Sequence, residues 1–71
     1  MKAVVKVKFN TSKESFETYG SGKYLVYLPI PEDAGTPRVL ISLLSKRIGV
    51  PPTKIEFAGR DMNKDWVFEI F

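Results

Sequence analysis

The sequence predicts an α+β domain of two layers, β-β-α-β-β, with one helix packed on one face of a mixed four-stranded sheet. Three observations predict it. Four segments alternate apolar and polar residues with period two, as strands with one buried face do. A single segment between the second and third of them carries apolar residues at helical spacing. One amphipathic helix has one stripe to bury, and one sheet face is enough to cover it. Seventy-one residues make one domain, residues 1–71. A chain this short buries only about 60% of the surface its unfolded form exposes. Its nine aromatic residues supply large buried areas where few positions are available.

The first strand is Lys-Ala-Val-Val-Lys-Val-Lys-Phe, residues 2–9. Ala3, Val5, Val7 and Phe9 face one side; Lys2, Lys6 and Lys8 face the other, with Val4 among them. Turn formers at residues 10–15 break the pattern. Phe16 and Tyr19 fit a short irregular strand before the turn signal Gly20-Ser21-Gly22. Lys23 to Leu28 is the second clear strand. Tyr24, Val26 and Leu28 are assigned to the core side and Leu25 and Tyr27 to the other, although both faces are apolar and periodicity alone does not choose. Pro29 and Pro31 end it, because proline cannot donate to a ladder.

Thr36 is placed as the helix N-cap with Pro37 at the first helical position. Leu40, Ile41, Leu44 and Ile48 then fall on one face, widened by Leu43, with Arg38, Ser42, Ser45 and Lys46 opposite. Lys46 and Arg47 suit the negative end of the helix dipole. Gly49 reads as the C-cap, and Pro51-Pro52 forbid continuation. Ile55 and Phe57 point inward from the third strand; Trp66, Phe68 and Ile70 do so from the fourth, with Val67, Glu69 and Phe71 outward. A strand order of 2-1-4-3, with the first and fourth strands parallel and a right-handed crossover carrying the helix, satisfies these faces.

Composition limits the chemistry. There is no cysteine, so no disulfide, thiolate nucleophile or Cys-ligated zinc, and no histidine, the usual general base near neutral pH and the commonest metal ligand. Serine nucleophiles ordinarily need such a base. An enzyme is therefore disfavoured, and no cofactor is expected. No segment is long and apolar enough to span a bilayer, and the first ten residues carry charges on alternate positions, unlike a signal peptide; a cytoplasmic protein without a membrane partner is the expectation. Eleven Lys and Arg against eight Asp and Glu give a net charge of +3, a mild lean toward anionic partners that also fits plain solubility.

Two resemblances stand beside this reading. Gly-Val-Pro-Pro at 49–52 followed by Phe-Ala-Gly-Arg at 57–60 resembles a stretch of ubiquitin. The interval between them is two residues shorter here, and the sequence ends Glu-Ile-Phe rather than Gly-Gly, so a conjugated modifier is not expected and a shared ubiquitin-like topology accounts for the likeness. The second resemblance runs along nearly the whole chain. "VKVKFNTSKESF", "YLVYLPIPEDAG", "LISLLSKRIGVPPTKIE" and the closing Gly59, Lys64 and Ile70 resemble the YggU family of small uncharacterised proteins. That resemblance implies the α+β fold and no established activity. Where the family carries an Ala-Asn pair at the helix start, this chain reads Thr36-Pro37-Arg38. Where the family shows Ser-Arg-x-Lys in the closing turn, only Lys64 matches, and the family's C-terminal helix has no counterpart.

Two surfaces are candidate sites, for two classes of function. The first reading is a non-catalytic module that binds a protein partner or itself through an apolar strip of Val4, Leu25, Val67 and Phe71 on the uncovered sheet face. The alternative is weak binding of RNA or another polyanion. Lys2, Lys6 and Lys8 with Tyr27 on the sheet, and Arg38, Arg60 and Lys64 at the helix start and closing turn, supply the cations and one stacking ring. The helix N-terminus near Thr36 adds an anion-binding candidate, against a plain capping role. Glu56 and Glu69 share the sheet face and weigh against a polyanion there. Asp61-x-Asn63-x-Asp65 begins like a calcium loop but has Trp66 where the glycine is required, so turn chemistry explains it better.

Overall fold

The computed structural model describes all residues, Met1–Phe71. Its elements are β1 (Lys2–Lys8), β2 (Ser15–Gly20), β3 (Lys23–Tyr27), α1 (Thr36–Ile48), a 3-10 turn (Pro52–Lys54), β4 (Ile55–Arg60) and β5 (Trp66–Ile70). They form one sheet in the order β2-β3-β1-β5-β4, with α1 on one face. The four expected strands keep their expected order, and β2 joins as a fifth strand at the edge.

That added strand changes the directions. β2 pairs antiparallel with β3, so the chain has already turned back once when β3 reaches β1, and β1 and β3 run parallel rather than as a hairpin. The helical connection then returns the chain to β4 in the same direction as β3. The β4–β5 hairpin reverses it, and β1 and β5 are antiparallel. The parallel central pair expected from the sequence, and the ubiquitin-like topology with it, are thus replaced by an antiparallel one.

The core lies between α1 and the sheet. Ala3, Val5, Val26, Leu28, Ile55, Trp66, Phe68 and Ile70 meet Leu40 and Leu44 there, and Val7, Phe9, Phe16, Tyr24 and Phe57 pack at its margin. This settles the orientation of β3: Val26 and Leu28 are buried, and Leu25 and Tyr27 look out on the open face. Aromatic rings brace the end of the core, Trp66 lying 6.4 Å from Phe9 and 5.6 Å from Phe57 between centroids.

The helix ends as its sequence dictates. Gly49 takes a left-handed φ of 81°, and its N–H returns to the Ser45 carbonyl at 3.0 Å. Ser45 Oγ then donates to the Val50 carbonyl at 2.6 Å, which fixes the exit. The start differs from expectation. Gly35 is the N-cap, and Thr36 is already helical and buried. Its hydroxyl points backward and accepts the Asp33 N–H at 3.0 Å, while Asp33 Oδ1 accepts the Gly35 N–H at 2.7 Å. A threonine hydroxyl serves a turn before it as readily as a helix after it.

Both edge strands are irregular. The β2–β3 register shifts between Thr18 and Gly20, and the β4–β5 register shifts between Phe57 and Gly59. Bulged edges with Glu17 and Glu56 on them discourage strand addition. Association through a sheet edge is therefore not the natural mode for this domain, which leaves its faces.

Candidate functional site: the open face of the sheet

The face away from α1 is read row by row from the strand register. Ser15, Tyr27 and Lys8 form one row. Glu17, Leu25 and Lys6 form the next, and Lys6 reaches across to Asp65 with Nζ 3.4 Å from Oδ2. Lys23, Val4 and Val67 form the third. Lys2, Glu69 and Glu56 form the fourth. Four lysines thus face four carboxylates, interleaved. Lys23 belongs to this set although periodicity alone did not single it out, because its place is fixed by the parallel pairing with Val4.

This arrangement separates the two candidate functions. Lys2 stands beside Glu69, and Lys6 is bonded to Asp65, whose side chain is nearly buried. Only Lys8 beside Tyr27 keeps the cation-plus-ring character a nucleic-acid surface needs. The face carries four positive and four negative groups, a pattern of charge without a net excess of either sign.

The apolar strip is also rearranged. Val4 and Val67 lie directly opposite each other and Leu25 lies diagonal to Val4, so these three make one patch. Val67 is only 8% exposed, so the patch presents mainly Val4 and Leu25, with Val67 as its floor. Phe71 is 72% exposed but stands beyond the Lys2-Glu69-Glu56 row, at the sheet corner, where its N–H donates to the Lys54 carbonyl at 2.9 Å. It does not continue the strip.

The second cluster converges in part. The loops after β1 and β3 and the hairpin between β4 and β5 all lie at one end of the sheet, because β5 runs against β1 and β3. There Arg60 pairs with Glu32 of the helix-preceding loop at 3.5 Å. Its guanidinium lies 4.2 Å over the Trp66 ring, and both Nε and Nη2 donate to the Lys64 carbonyl, Nε at 2.9 Å. Lys64 itself adopts a left-handed φ of 64° to close the turn. Arg60 therefore staples the hairpin to the core, and Lys64 contributes its backbone. We expect Arg60→Lys to cost about 1 kcal/mol, since an ammonium cannot fork to the carbonyl and stack on the indole together. Urea unfolding followed by near-ultraviolet circular dichroism measures it; an unchanged midpoint would show that the staple contributes nothing.

The helix N-terminus offers no anion site. The Thr36 N–H goes to the Asp33 carbonyl, those of Arg38 and Val39 go to the Gly35 carbonyl, and Pro37 has none. The Asp61-Asn63-Asp65 run is turn chemistry: Asp61 Oδ1 accepts the N–H groups of Asn63 and Asp65 at 2.9 and 3.0 Å. Arg60 engages Glu32, Trp66 and the Lys64 carbonyl, whereas Arg38 lines a groove beside α1.

No helix is long and apolar enough to cross a membrane. No family model, curated protein or solved structure matches the chain.

Proposed function

We propose that this chain is a non-catalytic binding module that docks a protein surface on the open face of its sheet, with self-association as the simplest case. The observation that supports it is the neutral, interleaved charge pattern around Val4, Leu25 and Val67. An apolar centre rimmed by both signs of charge suits another protein surface, where each charge finds an opposite and the register is specified. It suits a polyanion poorly. The absence of histidine and cysteine supports a role without catalysis. The resemblance to the YggU family adds a fold with no activity attached, which is compatible with this reading.

The expected strength follows from size. Strands about 4.8 Å apart and roughly 20 Å long make a face on the order of 500 Å² per copy. Two such faces bury about 1,000 Å², at the lower edge of specific interfaces, where contacts are weak and transient, so a reversible, concentration-dependent association is expected. Sedimentation equilibrium over a rising concentration series tests it. The weight-average mass should climb toward the dimer, and Leu25→Lys, which sets a charge in the half-buried centre, should hold the protein monomeric. A monomer at every concentration would contradict self-association through this face.

A further inference from the structure

We propose that the groove between α1 and the 3-10 turn docks an extended acidic segment of a partner protein, with two carboxylates flanking an apolar residue. This site is separate from the open sheet face, and neither depends on the other.

Charge in this molecule is divided by layer. From Thr36 to Lys54 the chain carries Arg38, Lys46, Arg47 and Lys54 and no acid at all. The whole chain is only +3, so the sheet and loops together are slightly acidic and the helical layer holds all of the excess. Neither Arg38 nor Lys46 is in either of the two ion pairs of the fold. Arg47 leans over the Phe16 ring at 5.5 Å, which leaves Arg38, Lys46 and Lys54 as the free heads of the layer, and of these Arg38 and Lys46 line one groove.

Those two heads bound a groove of about 420 Å³ lined by Arg38, Ile41, Ser42, Ser45, Lys46 and Pro52. Ile41 and Pro52 give it apolar walls. Ser42 is exposed and free to donate, whereas the Ser45 hydroxyl is occupied by the Val50 carbonyl. Eight residues at about 1.5 Å each separate Arg38 from Lys46 by roughly 12 Å along the helix. An extended chain advances about 3.3 Å per residue, so carboxylates four residues apart span the same distance. The residue midway between them then lies over Ile41 and Pro52, beside Ser42. No aromatic ring lines the groove to stack a base, and its walls suit a side chain better than a sugar-phosphate backbone.

A labelled peptide Gly-Asp-Ser-Leu-Ser-Glu-Gly, titrated by fluorescence anisotropy at low and moderate salt, tests the proposal. Binding that weakens with salt is expected, with at least a tenfold loss for the Asn/Gln version of the peptide and for the double variant Arg38→Glu, Lys46→Glu. Lys2→Glu on the sheet should leave it unchanged. Amide shift mapping on the unaltered protein serves as a second measurement that does not depend on how the variants fold, and it should place the largest changes at Ile41, Ser42 and Ser45 of the groove lining. Absence of binding, equal binding by the neutral peptide, shifts centred on the sheet, or a preference for single-stranded RNA of matched charge would each overturn it.

Discussion

Replacing Phe68 by alanine should remove about 3–5 kcal/mol of stability, the range for truncating a buried phenylalanine. For a 71-residue chain, roughly 0.05–0.15 kcal/mol per residue gives about 4–11 kcal/mol in all, so this single truncation removes a large share of the stability and, at the low end of that range, all of it. The position explains the size of the effect. Phe68 is fully buried on β5, an interior strand of the sheet. Its neighbour across β1 is Ala3, also fully buried, whose small side chain leaves room for the ring beneath α1. On the other side Phe57 lies 5.4 Å away, ring to ring, and Phe57 packs in turn on Trp66. No nearby side chain can swing in to fill the space, because α1 and the flanking strands are fixed by their own packing. Urea unfolding monitored by the single tryptophan should show the transition moved to much lower denaturant or lost. A loss below about 1 kcal/mol would mean that the layer between helix and sheet is looser than described.

Gly22→Ala should cost about 3 kcal/mol, against about 1 kcal/mol for Gly49→Ala. Both glycines have left-handed φ, 67° and 81°, and both substitutions meet that strain. Only Gly22 meets a second obstacle. A Cβ there would come within 2.8 Å of the Lys2 carbonyl oxygen, whereas nothing lies within 4 Å of one at Gly49. The Gly22 carbonyl also accepts the Val4 N–H at 2.8 Å, so the β2–β3 turn is held against the first strand and cannot move away without breaking that bond. Comparing the two variants by thermal and urea unfolding isolates the second obstacle. Equal losses would show that the turn is free to shift and that the close approach to β1 carries no energy.

The parts of this fold that are legible in the sequence are those written locally. The helix stop at Gly49 with two prolines behind it, the alternation in β1 and β5, and the inward set of Trp66, Phe68 and Ile70 all depend on residues within one element. What is less legible depends on pairing between strands. β2 reads only as a short irregular strand around Phe16 and Tyr19, with Phe16 its single large apolar inward residue, and the ladder offered by β3 makes it a full edge strand. Strand direction follows from how many times the chain turns back, and period two says nothing about that. Thr36 looks like a cap from the helix that follows it, yet the Asp33 N–H before it claims its hydroxyl.

The sites divide in the same way. The wet face of β1 is readable, but the carboxylates that neutralise it arrive from β2, β4, β5 and the turn before β5, Asp65 lying 59 residues from Lys6. Val67 reads as an outward residue and is one, yet between Val4 and Gly59 of the flanking strands only 8% of it is exposed. Arg38, Ser42 and Lys46 were readable as the polar face of the helix. That Pro52 closes a groove with them was not, since it depends on where the chain goes after Gly49.

The proposed docking of protein on the open face of the sheet is tested most directly by amide spectra recorded over a wide dilution series. Concentration-dependent shifts are expected at Val4, Lys6, Leu25, Val67 and Glu69, with the helical layer unmoved. Spectra that do not change on dilution, or changes confined to α1, would contradict it.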